Sequence, residues 1–407
     1  MPPQQTLKRS ISLPLLTLYG LGTTIGAGIF VLIGKIAGVS GVYAPLAFLL
    51  ASLLAGLSAF SFAELSSRYP ESAGEAAYVR EGLGSQTLAL IVGLFVVTAG
   101  LVSTSAIIIG FSGYLAEFVS WPPVISRIAI VVILGFLVCW GVAISVALAA
   151  IITLAEIGVL LIIIVSGAEL IVMGDGPVET AASLGGDEIW LGVITGALLA
   201  FYAFIGFEDM VNVAEETQNP TRVVPYAIVL TLICTTVLYV IIAAVAVNAV
   251  PITDLAKSDA PLSLIFEKAS GFSGKPISAI AVVSVLNGAL IQIIMASRVL
   301  YGLSRRNLLP AWIGAIHPRT KTPIAATLFC TAIVIILTST FRIEGLAEAT
   351  SIVALTIFAI VNLALMRIKW MRIETPDQYF SVPGWVPVLG FLASVALVGF
   401  DMWRRII

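Results

Sequence analysis

Charge is the scarcest property of this chain. Only 11% of its 407 residues are charged, whereas 59% are hydrophobic; a soluble domain usually carries about 25% charged residues. One or two ordinary globular domains are thereby excluded, and most of the chain belongs in a bilayer. The net charge of −2 offers nothing to a nucleic acid. Histidine occurs once, at His317, in a polar loop with Pro318, Arg319 and Lys321. That excludes a histidine proton relay and a zinc site of the Cys/His type. The three cysteines, Cys139, Cys234 and Cys330, lie far apart inside apolar runs, as small core residues and not as a disulfide framework or metal site. No nucleophile–base pair or phosphate-binding loop is visible, so neither an enzyme nor a cofactor is expected. No cleavable signal peptide is read either, because Met1–Ser10 leads straight into a full-length apolar segment.

What the chain does have is eleven apolar segments of spanning length, about 20 residues each. Their limits are 13–37, 43–65, 88–118, 123–143, 146–171, 189–212, 223–250, 277–304, 323–340, 346–368 and 385–403. The expected class is an all-α integral membrane protein. With the N-terminus placed in the cytoplasm, twelve Lys and Arg fall on the inner side and eight on the outer. That bias fits a multi-pass protein of the cell inner (plasma) membrane with a cytoplasmic N-terminus. Residues 251–276 are expected to form short helices over the outer entrance, and 66–87 a polar helix–turn unit inside.

Two segments are interrupted at their centres. The first contains Thr23-Thr24-Ile25-Gly26-Ala27-Gly28-Ile29-Phe30, and the sixth contains Phe201-Tyr202-Ala203-Phe204-Ile205-Gly206-Phe207-Glu208-Asp209. Opened backbone at membrane depth is tolerated only where it faces protein or a cavity. Corresponding broken segments five apart are the mark of an inverted repeat with a binding site at the breaks. The expected division is a cytoplasmic N-terminus at 1–12, a first repeat at 13–171, a second at 189–368 and an extra helix at 385–407.

Five stretches then resemble a known family, the amino acid–polyamine–organocation (APC) transporters. They are Gly22–Phe30, Phe62-Ala63-Glu64-Leu65 through Pro70–Glu75, the sixth-segment break, Glu215-Glu216-Thr217-Gln218-Asn219-Pro220-Thr221-Arg222, and Ser297-Arg298 through Arg305–Pro310. The resemblance implies a LeuT-type fold, five helices plus five inverted, working by alternating access. A twelfth helix common in the family is absent from the pattern, outside the transport core.

The resemblance also implies the site. The substrate α-carboxylate would meet the backbone N–H groups of Gly26, Ala27 and Gly28, where a restarted helix attracts an anion. Many members carry serine where this chain has Ala27. The α-amino group would meet carbonyls matching Thr24, Tyr202, Ala203 and Ile205, since an ammonium only donates. Ile25 and Phe204 complete the substrate-binding set on the two breaks, and Tyr202 matches an aromatic gate. Side-chain selectivity is expected from Thr98, Val102 and Ser103 on the third segment, Phe204 and Phe207 on the sixth and Asn287 on the eighth. Glu208 is expected to cap freed N–H groups of its break. Asp209, Glu215 and Glu216 are placed to pair with Arg298 or Arg305 as an inner gate, and Glu64 with Arg68 to make a similar contact.

Glu156 is the most informative single residue. It lies about ten residues into the fifth segment, roughly 15 Å deep, where a carboxylate costs roughly 3 kcal/mol or more. Sodium-independent relatives often have lysine there, so this chain reverses the charge. Three arrangements satisfy the acid, in descending preference. It is protonated and couples transport to a proton; it pairs with Arg298; or it holds a sodium ion with the carbonyls of Gly22 and Ile25. The expected activity is secondary transport of small or apolar neutral amino acids. An amine or polyamine carrier or an exchanger of the same fold is the alternative, and a non-transporting membrane sensor a more distant one.

Overall fold

A chain crossing lipid must satisfy its backbone internally, and here it does so with helices. The computed structural model describes residues 9–70, 74–141, 146–173, 186–305, 308–372 and 379–406. Among them, fourteen α-helices follow in order: α1 (Leu13–Ser40), α2 (Ala44–Arg68), α3 (Gly74–Leu83), α4 (Gln86–Ala116), α5 (Pro123–Trp140), α6 (Val146–Met173) and α7 (Gly186–Tyr202); then α8 (Pro220–Ala249), α9 (Ile252–Lys257), α10 (Pro261–Ser270), α11 (Lys275–Arg305), α12 (Ile324–Thr340), α13 (Ile343–Trp370) and α14 (Trp385–Ile406). Prolines open several of them, at Pro14, Pro45 and Pro220, where the missing N–H is not needed.

Eleven of these helices match the eleven apolar segments, with α3, α9 and α10 as the short extras. Nine stretches among the described residues are long and apolar enough to cross a membrane, and Leu13–Gly26 and Ile324–Thr340 are shorter apolar helices. Large apolar side chains such as Phe136, Trp140, Ile151 and Val165 remain exposed on α5 and α6, as a lipid-facing surface requires. The connection between the fifth and sixth segments, 172–188, falls mostly outside the described residues.

The two interrupted segments sit together at the centre. α1 breaks at Gly26, whose backbone angles (φ −9°, ψ −133°) leave the helix. The sixth segment leaves the α-helix after Tyr202 and resumes as a 3₁₀ helix, Phe207–Glu216. α1 packs against α6, α7 and α8, while α4 pairs with α11 and α2 with α8.

Each face of the bundle is tied separately. On the face where α1 begins, Glu64 of α2 is fully buried; it accepts from Arg68 at 2.6 Å, Lys369 of α13 at 2.6 Å and Val382 N–H at 2.8 Å. The Arg68 guanidinium also stacks 4.1 Å over the Tyr379 ring. Ile11 and Thr217 form a bridge there, joining the start of α1 to the end of the 3₁₀ helix. On the opposite face residues 251–276 form the short helices α9 and α10, which lie against the end of α1. Lys35 donates to the Ala256 carbonyl at 2.8 Å and pairs with Glu344 at 3.4 Å.

Candidate functional site

The breaks meet through glycine. Gly206 has φ of 126°, a conformation open to glycine alone at little cost. A Cβ there would stand 2.7 Å from the Thr23 carbonyl carbon and 3.0 Å from Thr24 N. A Cβ on Gly28 would likewise overlap the Ala203 backbone. Thr23 Oγ1 donates to the Gly206 carbonyl at 2.9 Å, and Glu208 accepts from Gly206 N–H at 2.8 Å, so Glu208 caps its own break.

Tyr239 of α8 spans both breaks. Its single hydroxyl proton is shared between the Thr24 carbonyl at 2.8 Å and the Ala203 carbonyl at 3.1 Å. The Tyr202 carbonyl accepts from Ile205 N–H at 3.2 Å. Three of the four carbonyls assigned to a substrate amino group are therefore already in use, each with one lone pair left. Sequence reasoning missed Tyr239; a tyrosine in an apolar helix carries no local signal of what its hydroxyl reaches.

A cavity of about 30 Å³ lies against the breaks. Thr23, Thr24, Gly26 and Gly28 line it from α1, Tyr202 and Ile205 from the sixth segment, and Ser103 and Ile107 from α4. Gly288, Ile291 and Gln292 of α11 close it, and none of its lining residues is charged. The Tyr202 hydroxyl and Ser103 Oγ are hydrogen-bonded at 3.1 Å. This volume suits about one water, so an amino acid enters only when the walls move.

Several expected lining residues lie elsewhere. Asn287 is buried, but the cavity is lined by its neighbours Gly288, Ile291 and Gln292; a rotation of one residue, about 100° around the helix, separates the expectation from the finding. Thr98 is exposed and bonded to its own helix at Leu94. Val102 is half-buried away from the cavity. Phe204 packs on the Tyr239 ring, Phe207 on Phe62 and Phe358, and Ile25 is a core residue. Ala27 lies in α1, and its side chain is outside the description.

A second cavity of about 30 Å³ adjoins the first, sharing Ser103, Ile205 and Gln292 with it. Its lining includes three acids, Glu75 of α3 with Glu208 and Asp209. Burial pushes the Glu75 carboxyl up to about 7. Asp209 does not join an ion pair with Arg298 or Arg305, both of which are exposed; it is buried and accepts from Gln292 Nε2 at 3.4 Å.

Glu156 lies behind the α1 break. Gly22 packs so tightly on Thr153 that a Cβ would overlap its hydroxyl, and Thr153 sits one turn before Glu156 on the same face of α6. Glu156 is fully buried, and neither carboxyl oxygen has a hydrogen-bond partner. Arg298 is exposed and makes no pair with it, so the second of the three arrangements is not formed. Ser284 Oγ and Asn287 Oδ1, one turn apart on α11, are buried and unpartnered too. α11 packs against α6, the helix that carries Glu156. No group of three or more His, Cys, Asp or Glu that could hold a metal ion occurs among the described residues.

Comparison with known proteins places this geometry in a lineage. A family model described as amino acid permease matches residues 11–403. The chain is 29% identical over 412 residues to the branched-chain amino acid permease BcaP of Bacillus subtilis, covering 96% of this chain and 87% of that protein. It is 31% identical over 399 residues to the vacuolar cationic amino acid transporter 2 of Arabidopsis thaliana, covering 91% of this chain but only 61% of that longer protein. The methylthioribose transporter of Bacillus subtilis is 27% identical over 421 residues, with 98% and 88% covered.

Proposed function

The chain belongs to the amino acid permease family, a transporter family with the LeuT-type fold, and from that premise we propose that it moves small or apolar neutral amino acids by alternating access. Amino acid transport and a multi-pass place in the membrane come with the family. The plasma membrane, the cytoplasmic N-terminus and the 13–171 and 189–368 repeats are part of the proposal. So is the substrate.

One observation carries the reading: an uncharged cavity bounded by the two helix breaks, with isoleucines at positions 107, 205 and 291 facing a side chain. The restarted half of α1 offers backbone N–H groups to a carboxylate. The remaining lone pairs at Thr24, Tyr202, Ala203 and Ile205 suit an ammonium. Uptake of labelled alanine into proteoliposomes tests this, with leucine, arginine and putrescine as competitors. Alanine and leucine are expected to compete; competition by putrescine alone would replace the proposal with an amine carrier.

A second reading has its own support. The three acids lining the adjoining cavity, together with relatives named as cationic amino acid transporters, favour a basic substrate. Arginine competing better than leucine in the same assay selects it.

For coupling we favour a proton on Glu156. A carboxylate deep in the bundle without hydrogen bond or counter-charge is held as the neutral acid. The unpartnered carboxyl oxygens of Glu156, one turn from the Thr153 that packs on Gly22, would also receive a sodium ion, so imposed proton and sodium gradients are the two arms of the coupling test.

A further inference from the structure

The two adjoining cavities have a common wall, and its composition points to one side chain. Of the three shared residues, Ile205 is fixed by the helix break and Ser103 by its bond to Tyr202. Gln292 is the long, flexible member, reaching in from α11. Its Nε2 leans on Asp209 Oδ2 at 3.4 Å. Its Oε1 is buried without a partner beside Gly100, where a Cβ would stand 3.0 Å away. One turn earlier Gly288 lines the first cavity with no side chain at all, and Ile291 lines that cavity alone, so Gln292 is the α11 side chain that stands between the two.

We propose that Gln292 sets the length of side chain the transporter accepts, by dividing one long pocket into two. The inference rests on the transport reading above. The α-carboxylate and α-amino groups stay at the breaks, and the side chain extends along α11 toward the carboxamide. A short side chain ends above the partition, while a long unbranched one meets it. Removing the carboxamide joins the cavities without touching the backbone groups that hold the α-substituents, so length selectivity changes while recognition of the amino acid core does not.

The test uses the full-length protein in proteoliposomes, with labelled alanine competed by alanine, 2-aminobutyrate, norvaline and norleucine. The unmodified protein should show a sharp loss of inhibition along this series. Gln292→Ala should raise inhibition by norleucine relative to alanine about tenfold, the low end of what one added methylene contributes against an apolar wall, here the Val96, Met295 and Ile357 side of the second cavity and not its three acids. Gln292→Leu refills the space and should keep the original cut-off. Thermal shifts with the same four ligands read the profile independently if Gln292→Ala binds without transporting. An unchanged cut-off in Gln292→Ala overturns the proposal, as does a Gln292→Leu profile like that of Gln292→Ala or an unmodified protein with no cut-off. Those outcomes leave the transport reading standing. If the unmodified protein neither moves nor binds any amino acid, the reading falls and the partition with it.

Discussion

Replacing Tyr239 by phenylalanine removes one oxygen and leaves the ring in place. The ring is held by Phe48 at 5.7 Å and Phe204 at 5.2 Å between centroids, so the packing survives the change. What disappears is the only hydroxyl bonded to both the Thr24 and Ala203 carbonyls among the described residues. An unsatisfied buried acceptor costs about 1–3 kcal/mol. Two are exposed to that cost here, and water admitted to the site offsets part of it. We take about 2 kcal/mol as the net loss, equivalent to roughly 30-fold in an equilibrium constant. The two breaks would then be less well fixed, and apparent affinity should weaken by about that factor. Binding measured by thermal shift and transport measured as initial rate against concentration separate the effects. The expected result is a raised KM and a lowered melting temperature. Affinity within twofold of the unmodified protein and an unchanged melting temperature would refute the idea that Tyr239 braces the site.

Other outcomes follow from the same contacts. Gly206→Ala forces a Cβ against Thr23 at a φ of 126° and should abolish transport, read by uptake with expression as control. Glu64→Gln breaks a buried cluster with Arg68 and Lys369 and should cost about 3–5 kcal/mol, seen as a large fall in melting temperature. Glu75 titrates in the folded protein near pH 7, above its usual carboxylate range, because it is buried. Its protonated form is therefore the stabilising one. Stability should be full below about pH 4.5 and decline as pH rises toward 7, and Glu75→Gln should flatten that slope in a melting-temperature series.

Most of the architecture was legible because lipid imposes it. Eleven runs long enough to span a bilayer became eleven helices, and the polar 66–87 and 251–276 segments became α3, α9 and α10. The breaks were legible for the same reason: glycines with polar neighbours have few uses at membrane depth other than opening a helix. The lining of the cavity was less so. Asn287 and Gln292 are both polar residues in an apolar helix, and only packing decides which face of α11 turns inward; the cavity took Gln292. Arg298 was read as reaching Glu156 by depth alone, but its side chain turns to the surface. Tyr239 and Asp209 depend on partners distant in sequence, to which no local pattern points.

The central claim is that transport runs through the paired breaks and is driven by protonation of Glu156 behind them. It is tested most directly by alanine uptake into proteoliposomes under an imposed inward proton gradient, with and without sodium, for the unmodified protein and for Glu156→Gln. The account predicts proton-driven accumulation that is indifferent to sodium, and a variant that exchanges alanine but no longer accumulates it. Accumulation by Glu156→Gln with unchanged pH dependence would contradict it.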